Sequence, residues 1–122
     1  MDKNVEISLL LSFYGNILTE KQQEATSLYY NEDLSLAEIS EIVGITRQGV
    51  RDNIKRAESV LYDMEAKLGL CKRFLGVKQK LETVDDELKN MEVLLKGNEI
   101  AEEVKVGVKN IIKIVYEINE NL

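Results

Sequence analysis

The sequence predicts an all-α chain, and three observations carry that prediction. None of the 122 residues is proline, so nowhere does a missing backbone donor force a helix to break. Apolar residues recur at steps of three and four, the period of a single helix face, through most of the length. Capping boxes, Ser or Thr followed three residues on by Glu or Gln, stand at Thr19/Gln22 and Ser35/Glu38. Aromatic residues are 6% of the chain and hydrophobic ones 44%, which favours helices over sheet and suffices for a core in one or two small domains.

The first element is an N-terminal helix whose apolar stripe is read as Val5, Leu9, Leu10, Phe13, Tyr14 and Ile17. The second is capped by Thr19 and carries Leu28, Tyr29 and Tyr30. The third opens at Ser35 and turns Leu36, Ile39 and Val43 inward. Gly44 follows, where a tight turn between crossing helices needs positive φ and little bulk, and Ile45 plugs the corner. Thr46 caps the fourth helix, on which Val50 and Ile54 face back while Arg47, Gln48, Arg51, Lys55 and Arg56 fall on the other side. Cap, turn glycine, plug and paired apolar positions in that order predict a tri-helical helix-turn-helix unit, within a helix-turn-helix domain of residues 1–68.

The outer side of the fourth helix suits a major groove. Arg grips the two acceptors on the guanine edge and Gln pairs with adenine, so Arg47, Gln48 and Arg51 are candidate base readers. Thr46, Lys55 and Arg56 suit phosphates. Asp52 is the awkward neighbour, either repelling phosphate or pairing with Arg56 at the i,i+4 spacing. Gly49 either admits DNA closely or is merely tolerated, at about 1 kcal/mol relative to Ala. The competing reading is a packing or protein-docking module whose basic face is simply solvated.

The segment Leu18–Glu58, LTEKQQEATSLYYNEDLSLAEISEIVGITRQGVRDNIKRAE, resembles region 4 of bacterial sigma factors. More closely, and over nearly the whole chain including FYGNILTEKQ and AKLGL, it resembles the YlxM family of small bacterial proteins. That family is described as helix-turn-helix proteins whose genes sit beside those for the signal recognition particle GTPase or its receptor. The resemblance implies participation in that targeting pathway or its regulation, by binding double-stranded DNA or by docking signal recognition particle protein or RNA. The family's segment SRQAVYDNIKR matches Thr46 to Arg56, with Thr for Ser, Gly49 for Ala and Arg51 at a position often held by Tyr.

From Leu70 the seam Leu70, Phe74, Val77, Leu81, Val84, Leu88, Met91, Leu95 steps by four and three without a slip, over roughly 39 Å of helix. Lys96-Gly97-Asn98-Glu99 breaks it, and Ile100, Val104, Val108, Ile111, Val115, Ile118 and Leu122 form a second stripe, widened by Ile112. Residues 69–122 therefore read as a long antiparallel helical hairpin. Its leftover apolar surface either folds back on the first helix or pairs with a second copy as a homodimer, which suits paired half-sites on DNA. Gly69 reads as a hinge, with a continuous helix from about Arg47 past Leu70 as the alternative.

Charge divides the chain. Residues 1–44 carry net −6, residues 45–75 net +3 and residues 76–122 net −3, so the positive charge sits on the fourth helix and its extension. The net −6 of the whole predicts weak non-specific DNA binding with a steep salt dependence. Cys71 is the one cysteine and histidine is absent, which leaves no intrachain disulfide, no zinc-type site and no His-based triad. Beside Lys72 and Arg73 the thiol is either mildly activated or, the expectation here, a half-buried helix residue. The acidic runs Asp85-Asp86-Glu87 and Glu102-Glu103 diverge around their helices. No enzyme activity, cofactor, metal or membrane contact is expected, and the location expected is cytoplasmic. Of the pairs Phe13-Tyr14 and Tyr29-Tyr30, one ring each is expected to be buried with the tyrosine hydroxyl at the surface, rather than stacked on unpaired bases.

Overall fold

The structure is a computed structural model that describes residues 1–97 and 102–121. Those residues form six α-helices and no strand: α1 Lys3–Tyr14, α2 Glu20–Tyr30, α3 Leu36–Val43, α4 Arg47–Leu68, α5 Leu70–Leu95 and α6 Glu102–Glu120, with a 3-10 turn at Gly15–Ile17. Asn98, Glu99, Ile100 and Leu122, which the sequence places in the loop and second stripe, lie outside the described residues. The chain divides into two compact units, Met1–Cys71 and Lys72–Leu122.

The helix ends follow local chemistry. Thr19 Oγ1 accepts from the Gln22 amide and Gln22 Oε1 accepts from the Thr19 amide, each at 3.2 Å, so α2 begins with two otherwise orphan donors satisfied. It ends where Asp33 takes φ 55° and the Leu34 amide reaches the Leu28 carbonyl at 3.1 Å. The helix beginning at Arg47 does not run past Leu70: Gly69 adopts φ 63° and its N–H closes on the Glu65 carbonyl at 2.8 Å.

In the first unit α4 is the element the others share, packing against α1, α2 and α3. Its Val50, Ile54, Ala57 and Leu61 are buried at steps of four and three, a stripe that runs about 17 Å along the axis. Against it lie Ile7, Leu10 and Tyr14 of α1, Ala25 and Tyr30 of α2, and Ile39 of α3. The face of α1 differs from the sequence reading. Ile7 is fully buried while Val5 and Ile17 are exposed, because the run Leu9-Leu10-Leu11 is apolar on every side and periodicity alone does not pick its inner face.

Three tyrosines tie α1 and α2 to α4. Tyr14 donates to Glu65 Oε1 at 2.7 Å and accepts from the Leu70 amide at 3.1 Å; Glu65 Oε1 also accepts from the Cys71 amide at 3.0 Å. Tyr30 donates to Glu58, whose other oxygen lies 3.6 Å from Lys3 Nζ. As expected one ring of each aromatic pair is buried, Tyr14 and Tyr30, while Phe13 and Tyr29 are partly exposed. The hydroxyls, however, are turned to carboxylates rather than left at the surface, because a buried phenol needs a partner. Burial, then the bond to a glutamate, raises the pKa of Tyr14 (Glu65), Tyr30 (Glu58) and Tyr62 (Glu6) above the ordinary 10.0.

The second unit is thinner. Leu88 of α5 and Val108 and Val115 of α6 are buried, whereas most other apolar side chains on both helices are exposed. Leu95 and Lys96 at the end of α5 and Lys105 and Val108 near the start of α6 line one cavity of about 350 Å3. Among the described residues, no helix is long and apolar enough to cross a membrane.

Two outcomes are expected. Leu61→Ala removes a fully buried side chain from the wall that α4 offers and lowers unfolding free energy by about 2–5 kcal/mol in urea titration. A raised tyrosine pKa is stability present below the unfolded value of 10.0 and lost as pH rises through the folded value. The urea midpoint therefore drops above about pH 10, and Tyr30→Phe makes that drop shallower.

Candidate nucleic-acid interface

α3 and α4 are held at a fixed crossing by local bonds at both ends of α3. Ser35 Oγ accepts from the Glu38 amide at 3.1 Å and Glu38 Oε1 accepts from the Ser35 amide at 3.2 Å; bonding of the Glu38 carboxylate by the Ser35 amide first, and by the Ser35 side chain second, lowers its pKa. At the other end Gly44 takes φ 78° and closes on the Ser40 carbonyl at 2.9 Å. Ser40 Oγ donates to the Ile45 carbonyl, fixing the corner. Ile45, with Leu36 and Val43, packs on the core cluster around fully buried Ile39 and Val50. Thr46 Oγ1 then accepts from the Gly49 amide at 3.0 Å and starts α4.

Gly49 has an internal reason. A Cβ there lies 3.2 Å from Thr46 Oγ1 and 3.5 Å from Ile45 Cδ1, so the small residue makes room for the cap and the plug.

All six candidates, Thr46, Arg47, Gln48, Arg51, Lys55 and Arg56, are exposed. Taking about 100° per residue, the five candidates on α4 together with Asp52 follow the order Arg47, Arg51, Lys55, Gln48, Asp52, Arg56, an arc of about 180°, with Thr46 at the cap before them. They are one surface but not one line, since Arg51 and Arg56 point about 140° apart. The four cations form no ion pair among the described residues. Asp52 does not pair with Arg56; Gln48 Nε2 donates to its Oδ1 at 3.0 Å. Both neighbours are equally near around the axis, and the amide has taken the acceptor.

The fold adds residues that no local motif announces. Arg51 and Lys55 border a depression of about 280 Å3 whose other walls include Lys3, Tyr29 and Glu58. Lys3 comes from α1, whose packing on α4 brings a third cation to that flank. Nothing in the neighbourhood of Lys3 in sequence signals this, because the proximity arises only from α1 meeting α4. Cys71 is buried, and burial followed by the nearby Glu65 carboxylate pushes its thiol up to about 12. Lys72 and Arg73 do not activate it. Among the described residues, no group of three or more His, Cys, Asp or Glu is placed to hold a metal ion.

Residues 1–98 match the protein family described as "Putative helix-turn-helix protein, YlxM / p13 like". The chain belongs to this family. Similar proteins include a UPF0122 protein of Acetivibrio thermocellus, 47% identical over 93 residues, covering 76% of this chain and 80% of the relative. A UPF0122 protein of Thermoanaerobacter sp. (strain X514) is 42% identical over 113 residues, 93% of each chain. One from Clostridium perfringens (strain SM101 / Type A) is 43% identical over 105 residues, 86% of this chain and 88% of the relative. The family match spans α1 to α5 and so includes every candidate residue.

In this YlxM-family chain the turn itself is testable. Gly44 has φ 78° and open space where a Cβ would stand, so the cost of replacing it comes from the backbone conformation and not from a clash. Gly44→Ala is expected to cost about 1–2 kcal/mol by chemical denaturation, with Gly44→Asn milder because Asn tolerates the left-handed region.

Proposed function

We propose that this protein is a helix-turn-helix regulator that binds double-stranded DNA by laying the N-terminal half of α4 in the major groove. The observation that supports this most is the exposed surface from Thr46 to Arg56. It carries four cations that form no ion pair among the described residues, on a helix fixed by a cap, a left-handed glycine and a plugged corner. Arg47, Gln48 and Arg51 read base edges, and Thr46, Lys55 and Arg56 hold phosphates. The 140° between Arg51 and Arg56 suits the two walls of one groove, with Lys3 joining the Arg51 side. On binding, Gln48 exchanges Asp52 for an adenine edge, which frees Asp52 to accept from a cytosine amino group.

Residues 1–68 are then the reading domain and 69–122 a helical hairpin appended to it. A chain of net −6 contributes no broad attraction to DNA, so affinity depends on the few cations of α4 and falls steeply with salt. The process regulated is the signal recognition particle pathway with which the family is associated, and the place is the cytoplasm. Docking of signal recognition particle protein or RNA is the competing role, in which α4 reads no bases.

Selection from a randomised duplex pool at about physiological salt separates the two. The DNA reading expects an enriched motif. Arg51→Ala then weakens binding by about 1–3 kcal/mol and relaxes one base position, while Lys55→Ala weakens all sequences evenly and lowers the salt slope by about 1. No motif, and equal binding by an Arg47→Ala/Arg51→Ala protein, would remove the DNA reading in favour of docking.

A further inference from the structure

Val77, Val84 and Met91 recur every seven residues on α5 and remain 41, 44 and 48% exposed; Val104, Ile111 and Ile118 do the same on α6 at 47, 46 and 44%. The buried rows are different ones, through Leu88 on α5 and through Val108 and Val115 on α6. A seven-residue step is nearly two turns, so each open row runs straight along its helix. On both helices it lies roughly 50° from the buried row in the same rotational sense. For two antiparallel helices, that puts both open rows on one side of the pair.

We propose that this side receives a second copy of the chain, packed antiparallel so that two hairpins make a four-helix bundle. The inference rests on the hairpin part of the functional reading and not on DNA binding.

Charge picks the occupant. Lys80 and Glu87 border the open row on α5, both exposed, and neither is in an ion pair among the described residues. An antiparallel alignment centred on Val84 sets Val84 against its own counterpart and Val77 against Met91 of the second copy. Lys80 then stands beside Glu87 of the second copy, and symmetry repeats the pair. In a parallel alignment the two Lys80/Glu87 flanks fall on opposite sides of the helix pair, so this pairing of opposite charges is not made. Gly76 and Gly107 fit the same occupant. Each weakens its helix, a Cβ at either meets nothing within 4 Å, and each borders the open side, where a small residue admits a neighbouring backbone.

The test is sedimentation velocity on the full chain without DNA, with circular dichroism confirming that each exposed-site variant keeps its helices. A dimer at tens of micromolar is expected. Lys80→Glu should weaken it at least tenfold, Lys80→Glu/Glu87→Lys should restore it to within about threefold, and Val84→Asp/Ile111→Asp should be monomeric. A monomeric parent chain, or a dimer indifferent to Val84→Asp/Ile111→Asp, overturns the proposal; failure of the double reversal to rescue overturns the antiparallel alignment. Spin labels at Asn90 and Asn110, in a Cys71→Ala chain diluted with unlabelled protein, report the hairpin separately. A short distance in a monomer rejects only the dimer, and a long one rejects the hairpin as well.

Discussion

The first unit depends on one constraint: α4 must be a wall for three helices on one side and an open surface on the other. Val50, Ile54, Ala57 and Leu61 supply the wall, and everything that fixes the start of α4 follows from keeping them in register with Ile39 and Ile7. A helix of 22 residues is long for its surroundings, and the wall anchors the stretch that carries the exposed face. The rigidity of the exposed face is therefore inherited from the buried one, which is how a basic surface of modest size can hold several side chains in a defined order.

The polar contacts around that wall are directional. A buried apolar stripe tolerates sliding, whereas a phenol bonded to a carboxylate does not. Tyr14 with Glu65 and Tyr30 with Glu58 pin α1 and α2 to different levels of α4. Glu65 also receives the Cys71 amide, so the residues just past the left-handed Gly69 are tied to the first unit. Lys72–Leu122 is built on another plan, long apolar stripes of which most side chains are exposed among the described residues.

Much of this was legible in the sequence because the signals were local. Both capping boxes, the left-handed Gly44 and the cap at Thr46 are decided within four residues, and the structure places each where the pattern does. What depended on distant partners was less legible. The inner face of α1 was obscured by three consecutive leucines, so Ile7 was missed. The tyrosine hydroxyls were expected at the surface because their glutamates lie 28 and 51 residues away. Lys3 reaches the flank of Arg51 only through helix packing, and of the two roles open to Asp52, repelling phosphate or pairing with Arg56, the pairing is not formed because Gln48 holds its carboxylate.

The central claim is that the Thr46–Arg56 surface is where the molecule meets nucleic acid. The most direct measurement is a titration of isotope-labelled protein with duplex DNA, following backbone amide shifts residue by residue. Saturable changes concentrated on Thr46 to Arg56 and around Lys3 are predicted, diminishing as salt is raised, with α6 unmoved. Changes confined to α5 and α6, or none at any DNA concentration, would contradict the claim.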